Sequence, residues 1–348
     1  MTGSARRALS ALTALIMTST LFVGAPGPTY ANGGSVTYYV ALTGTPDGDG
    51  SSCTDPDFVG GDAAPIALAV DLATDGDTIY ICAGTYLTEA AIDLGAELLT
   101  LQGAGADVTI LDGGGSTQIL TGTTVTVSGL TFGRGNGNVM EEGDTGLGGA
   151  ISGTTVTVTN STFWHNETPD TSTEGDGGGA IIGETVTVTN STFTGNEAWA
   201  GGAIASENLT VTNSTFIGNK AYAGGAIIGD TVTLTNSTFV GNSAAIGGAV
   251  GAATGTITRS RFRRNTAIER GGAILMVSEP GSIVKLRGNV FTRNAAPFGG
   301  AITLQSCGTT VSRKKITLIK RTNRFVRNSA NSQQGTKNIE SWADACPT

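Results

Sequence analysis

Thr185-Val186-Thr187-Val188-Thr189-Asn190-Ser191-Thr192-Phe193-Thr194-Gly195-Asn196, followed by Gly201-Gly202-Ala203, decides the fold of this chain. Its first half alternates threonine with an apolar residue, the period-two signature of a half-buried strand. Its second half carries Phe-x-x-Asn and then a glycine pair, residues that pack and turn. The same phrase returns at Asn208-Leu209-Thr210-Val211-Thr212 and Thr231-Val232-Thr233-Leu234-Thr235, each followed by Asn-Ser-Thr-Phe.

Working outward, Gly-Gly-Ala begins at Gly148, Gly178, Gly201, Gly224, Gly247, Gly271 and Gly299, in steps of 30, 23, 23, 23, 24 and 28. Phe-x-x-Asn keeps pace at Phe163/Asn166, Phe193/Asn196, Phe216/Asn219, Phe239/Asn242, Phe262/Asn265, Phe291/Asn294 and Phe325/Asn328, with Phe132 opening a degenerate earlier copy. A unit of 23 residues cannot bury a sheet of its own, so the copies must stack. Three short strands per unit, wound into one coil, pair their backbone groups with the coils above and below, about 4.8 Å away. The predicted fold is all-β, a solenoid of parallel strands. Val156/Val158, Val186/Val188, Leu209/Val211 and Val232/Leu234 form interior columns beside a phenylalanine ladder, and the asparagines turn the chain and bond to one another along the stack. Asp62 and Pro65-Ile66-Ala67-Leu68-Ala69-Val70 read as a short capping helix at about 62–74. The solenoid is expected over 32–330, with a tail at 331–348 that loses the pattern.

Gly-Gly-Ala-[Ile/Val] alternating with Phe-x-x-Asn resembles the repeat of bacterial polymorphic outer-membrane proteins. Gly76-Asp77-Thr78-Ile79 with Ala83-Gly84-Thr85-Tyr86 is similar to the first coil of pectate-lyase-like proteins. The resemblance implies a single-stranded right-handed parallel β-helix. For function it implies a wide choice, since lyases, hydrolases and adhesins share that shape. The translocating barrel that ends the polymorphic proteins has no counterpart here, so self-anchoring by that route is not expected.

Composition and charge narrow the field. With 53 glycines among 348 residues and 14% charged residues, a coiled coil or helical bundle is excluded, and 39% hydrophobic content excludes simple disorder. Charge is segregated along the chain: residues 31–256 balance to −22 and residues 257–348 to +12. Arg6 and Arg7, the apolar run Ala8–Val23 and the breakers Gly24, Pro26, Gly27 and Pro28 read as a signal peptide over 1–31, cleaved after Ala31. The expected location is therefore secreted, extracellular or on the cell surface, with no transmembrane segment in the mature chain. In such a compartment Cys53, Cys82, Cys307 and Cys346 favour disulfides. Local pairing, Cys53 with Cys82 and Cys307 with Cys346, is the simplest of three connectivities. A single histidine speaks against zinc, and Asp47 with Asp49 lack a full calcium ligand set. No P-loop or dinucleotide fingerprint occurs, so neither metal nor cofactor is expected.

In a solenoid, spacing by one coil becomes a column on the surface, and four columns could carry chemistry. Glu184, Glu207 and Asp230 stand 23 residues apart, weak catalytic candidates for a glycoside hydrolase or polysaccharide lyase at the turn before a strand, with no basic group beside them. Arg264, Arg293 and Arg327 precede the marker asparagine in three successive coils, and Arg259, Arg261 and Arg263 alternate onto one strand face beside them. With Lys314, Lys315, Lys320, Arg321 and Arg324 they make a platform for an acidic polysaccharide, a wall polymer or another surface protein. Nucleic acid is not expected, because no aromatic residues are interleaved for stacking. Thr-x-Thr pairs from Thr157/Thr159 to Thr256/Thr258 give a hydroxyl lattice like the face of ice-binding or purely structural solenoids. Trp199 and Tyr222, with Phe298 three coils on, could hold sugar faces. Lone His165 has no nucleophile beside it, and Asn-Ser-Thr at Asn160, Asn190, Asn213 and Asn236 reads as a structural turn rather than a glycan acceptor. A non-enzymatic binding or adhesion protein is the expectation, with the enzyme as alternative.

Overall fold

A computed structural model describes residues 35–44, 50–137, 148–169, 177–278, 283–307, 312–330 and 336–344. The signal peptide, Asp47, Asp49 and Cys346 lie outside these residues. The described strands form three parallel sheets, of fifteen, ten and four strands. Among the described coils only the four from Ser243 onward place a strand in the third sheet, and earlier coils continue that side through isolated bridges from Asn136–Glu167 to Lys220–Ser243.

The first sheet holds the long strands Ile151–Thr159, Ile181–Thr189, Ile204–Thr212, Ile227–Thr235 and Val250–Thr258. Val156, Val186, Leu209 and Val232 are in register, as are Val158, Val188, Val211 and Leu234, and all are buried. Eight of the ten strands of the second sheet have three residues with a phenylalanine at the centre, and the first two, Gly84–Leu87 and Thr109–Asp112, have four and put Tyr86 and Leu111 in that column. From Phe132 to Phe325 the rings stack at centroid separations of 4.6–5.0 Å and tilts of 3–9°. Register alone forces this parallel ladder, since each ring inherits the position of the ring one coil below. The third sheet links Ser243–Ile246, Thr266–Arg270, Ala295–Ala296 and Ser329–Ala330.

Between the second and third sheets the marker asparagines form a buried ladder. Asn196 donates from Nδ2 to Asn219 Oδ1 at 2.9 Å and to the Phe163 carbonyl at 3.2 Å, while its own Oδ1 accepts from the Asn166 backbone and side chain, each at 3.0 Å. The pattern repeats to Asn294 and Asn328. Every amide is satisfied inside the protein, which is what allows a polar column in the core. The ladder bonding matches the expectation. The left-handed backbone does not fall on these asparagines: it falls on the residue before each, His165, Gly195, Gly218, Gly241, Arg264, Arg293 and Arg327, and on Asn160, Asn190, Asn213 and Asn236 in the neighbouring turn. The glycine pair serves two needs. Gly224 has φ +61°, and a Cβ on Gly225 would lie 2.3 Å from the Gly248 carbonyl oxygen of the next coil.

Both ends are closed differently from the middle. Helix α1, Ala64–Leu72, covers the first coils with Ile66 and Ala69 fully buried. Its N-cap residue is Ala63 rather than Asp62, although Asp62 still accepts the Ala64 N–H at 2.9 Å. Cys53 and Cys82 are disulfide-bonded and tie the loop before this helix to the end of strand Thr78–Ile81. A second helix, α2, Arg313–Thr322, was not legible in the pattern. It follows an N-cap at Ser312, buries Ile319 and packs against strand Val284–Arg287. The tail also keeps the pattern further than its sequence promises: Ile339–Asp344 pairs in parallel with Ile302–Cys307, so the first sheet continues past residue 330.

Candidate ligand-binding face

The corner built on the asparagine ladder carries the most varied outer surface. Each ladder asparagine points inward, so the residues on either side of it point outward, and the third residue after it does so again because an alanine (Ala198, Ala221, Ala244, Ala267, Ala296) is buried between. Three parallel columns result.

The column before the ladder reads His165, Gly195, Gly218, Gly241, Arg264, Arg293, Arg327. All three arginines are exposed, with φ of 53–56°, and adjacent coils are joined by Arg264 N–H to Thr292 O and Arg293 N–H to Val326 O at 2.9–3.0 Å. Arg261 and Arg263 point outward on either side of buried Phe262, and Arg324 lies in the column of Arg261 two coils on. Contrary to the expectation from the sequence pattern, Arg259 does not share the strand face of Arg261 and Arg263. It sits in the left-handed turn before this strand, at φ 50°, in the column of Asn236, and lines a shallow dip with Arg287 and Gly288. A left-handed residue interrupts the alternation, so counting by twos through it fails. Among the described residues none of Arg259, Arg261, Arg263, Arg264, Arg293, Arg324 or Arg327 takes part in an ion pair. Elsewhere Arg134 is bonded to Asp112, whose carboxylate holds its guanidinium pKa up.

The column after the ladder reads Glu167, Glu197, Lys220, Ser243 and Thr266, in register by backbone pairing. Lys220 Nζ is ion-paired to Glu197, and Glu167 accepts from Asn136 Nδ2 at 2.9 Å. The sequence reading missed these residues, although their fixed place one step after Phe-x-x-Asn was the signal that could have found them. In the third column Trp199 and Tyr222 stack at 5.2 Å with a 17° tilt, and Pro169 is the corresponding residue of the coil before. Together these side chains line a groove of about 340 Å³, the place where the rings and the charged column meet. Phe298 is not part of it. It pairs with Arg270, in the column of Ala200 and Ala223, one position over.

The remaining candidates lie apart from this corner. Glu184, Glu207 and Asp230 are exposed and in step, but they sit inside the long strands of the first sheet rather than in a turn before a strand, at the one position where the ladder skips a pair. They line neither groove, and among the described residues no three His, Cys, Asp or Glu side chains converge on a point. The Thr-x-Thr columns are in register from Thr157/Thr159 to Thr256/Thr258 and are extended backward by Thr126 and Ser128. Cys307 ends the strand Ile302–Cys307. No helix of the described residues is long and apolar enough to cross a membrane.

No curated protein matches this chain. Residues 184–336, the stretch that holds the stacked phenylalanines from Phe193 to Phe325 and the arginine column, match the family model of the right handed beta helix region, in keeping with the three parallel sheets.

Proposed function

We propose that this β-helix repeat protein is a secreted or surface-borne binder of an anionic polymer, held along the arginine-bearing part of the asparagine-ladder corner and not cut there. The observation that carries this reading is the unbroken column Arg264, Arg293 and Arg327, exposed, one coil apart and flanked by Arg261, Arg263 and Arg324 without an ion-paired acid. Like charges stacked about 4.8 Å apart repel one another, and a polyanion laid along them relieves that repulsion. Arginine, not lysine, fills each place, which suits planar carboxylate or sulfate groups taken two hydrogen bonds at a time. No outward-facing aromatic residues are interleaved among these arginines for base stacking, which favours a glycan or wall polymer over nucleic acid. The Cys53–Cys82 bond fits an oxidising location, as does the resemblance of the repeat to surface proteins. Open, solvated carboxylates at Glu184, Glu207 and Asp230 favour binding over hydrolysis.

The test is retention on immobilised polygalacturonate across a salt series. Wild-type protein is expected to bind at low salt and to be released as salt shortens the screening length from about 30 Å to about 8 Å. The triple variant Arg264→Gly/Arg293→Gly/Arg327→Gly, which restores the residue that the middle coils use, is expected to lose retention while melting no earlier. Retention unchanged in that variant, or indifferent to salt, overturns the reading.

A further inference from the structure

The groove at Trp199 and the arginine column lie on the same corner, the groove on the two columns after the ladder and the arginines on the column before it. Trp199, Tyr222, Glu167, Glu197 and Lys220 line the groove, and the arginines begin at Arg264, three coils after the coil of Trp199. In the two coils between, the column before the ladder is Gly218 and Gly241, and a Cβ added to either would meet no atom within 4 Å. The arginine column is therefore bare backbone over these two coils, while Ser243 and Ala245 continue the columns of the groove and Ile268, level with Arg264, is exposed. The Trp199 coil lies about 14 Å from the Arg264 coil and about 24 Å from the Arg327 coil.

We infer that the groove is a second subsite on that corner, taking a neutral sugar ring, so that the ligand is an acidic polysaccharide of mixed neutral and acidic sugars bound lengthwise along it. This rests on the polyanion reading above and names its chemical class. Two features of the groove point to a sugar instead of another anion. Stacked Trp199 and Tyr222 offer an apolar wall suited to the C–H face of a pyranose. Two of the three charged residues opposite are acceptors, since Glu167 retains lone pairs beyond the one used by Asn136 and Glu197 keeps a second oxygen, while the charge of Lys220 is met by Glu197. Carboxylates accept hydroxyl hydrogen bonds well but repel a uronate, phosphate or sulfate, so the anionic part of the ligand must lie further on, over the arginines. A chain with no rings, such as polyphosphate, would gain nothing from the groove.

The experiment compares affinities for hyaluronan oligosaccharides of increasing length, which alternate acidic and neutral sugars, with affinities for inorganic polyphosphate. Trp199→Ala and Tyr222→Ala each install the residue found in the same column at Ala245, so the fold is expected to tolerate them. Oligosaccharides long enough to reach from the groove to Arg264 are expected to bind about ten-fold more tightly than shorter ones. That gain is expected to vanish in the double variant Trp199→Ala/Tyr222→Ala, with polyphosphate binding unchanged. Gly241→Asp, which places a carboxylate on the bare stretch of the arginine column in a backbone conformation that aspartate tolerates, is expected to weaken the long oligosaccharides most. A length dependence that survives loss of both rings overturns the subsite. Loss of arginine dependence for both probes overturns the polyanion reading instead, and the two failures are read from different variants.

Discussion

The middle coils and the C-terminal coils share one interior and differ almost entirely outside. Phe239 and Phe262 are both fully buried, with rings 4.9 Å apart and tilted by 6°, and Asn242 hands its amide to Asn265 at 2.9 Å just as Asn219 does to Asn242 at 3.0 Å. Yet the corner beside them changes from Gly218 and Gly241 to Arg264 and Arg293, at φ of 62–65° and 55–56° respectively. Stacking constrains only what faces in or bonds between coils. Outward positions are free to vary, even where the backbone conformation disfavours the residue chosen. A side chain at positive φ costs about 1 kcal/mol relative to glycine, and the C-terminal coils accept that cost three times over.

The largest expected effects lie in the interior. Phe239→Ala and Phe262→Ala are each expected to destabilise the protein by about 3–5 kcal/mol and to agree within about 1 kcal/mol, measured by denaturant unfolding. A several-fold disparity would mean that the two halves are not packed alike. At the corner the sign reverses between regions: Arg264→Gly is expected to raise stability by up to about 1 kcal/mol and Gly241→Arg to lower it by a similar amount. Equal signs for the two swaps would remove backbone strain as the difference.

Titration sharpens the contrast with the N-terminal coils, where ionisable groups do enter the interior. Burial alone raises the Asp77 carboxyl, but the N–H groups of Val36 and Thr74 and the Thr74 hydroxyl outweigh it and hold the pKa below the usual value. Its contribution is present above the unfolded carboxylate pKa and is lost as pH falls through the folded one. Burial pushes Tyr86 up to about 12, so its contribution is full below about 10 and fades as pH rises from there toward 12. Thermal melts of Asp77→Asn and Tyr86→Phe are expected to lose the acid and alkaline slopes respectively. Slopes as steep in these variants as in the wild type would place the titrating groups elsewhere.

Some of this was legible before any coordinates. Strand alternation, coil period, the phenylalanine and asparagine ladders and helix α1 follow from residue type and spacing. Arg264, Arg293 and Arg327 could be placed in one column because a shared marker precedes each by a fixed offset. The neighbouring Glu167, Glu197 and Lys220 sit at an equally fixed offset, yet residue type varies down that column, so nothing in the letters announces it. Helix α2 hid because its apolar residues, Ile316, Leu318 and Ile319, are few and its charges read equally well as a solvated face.

The winding follows from the order of residues alone, because a repeat too short to bury itself has stacking as its only recourse. Which outward residues share a face is set by the three-dimensional fold. Left-handed corners reset the alternation of side chains, as at Arg259, so the meeting of Trp199, Tyr222 and the charged column depends on how far each turn rotates the chain, a quantity that residue spacing does not carry.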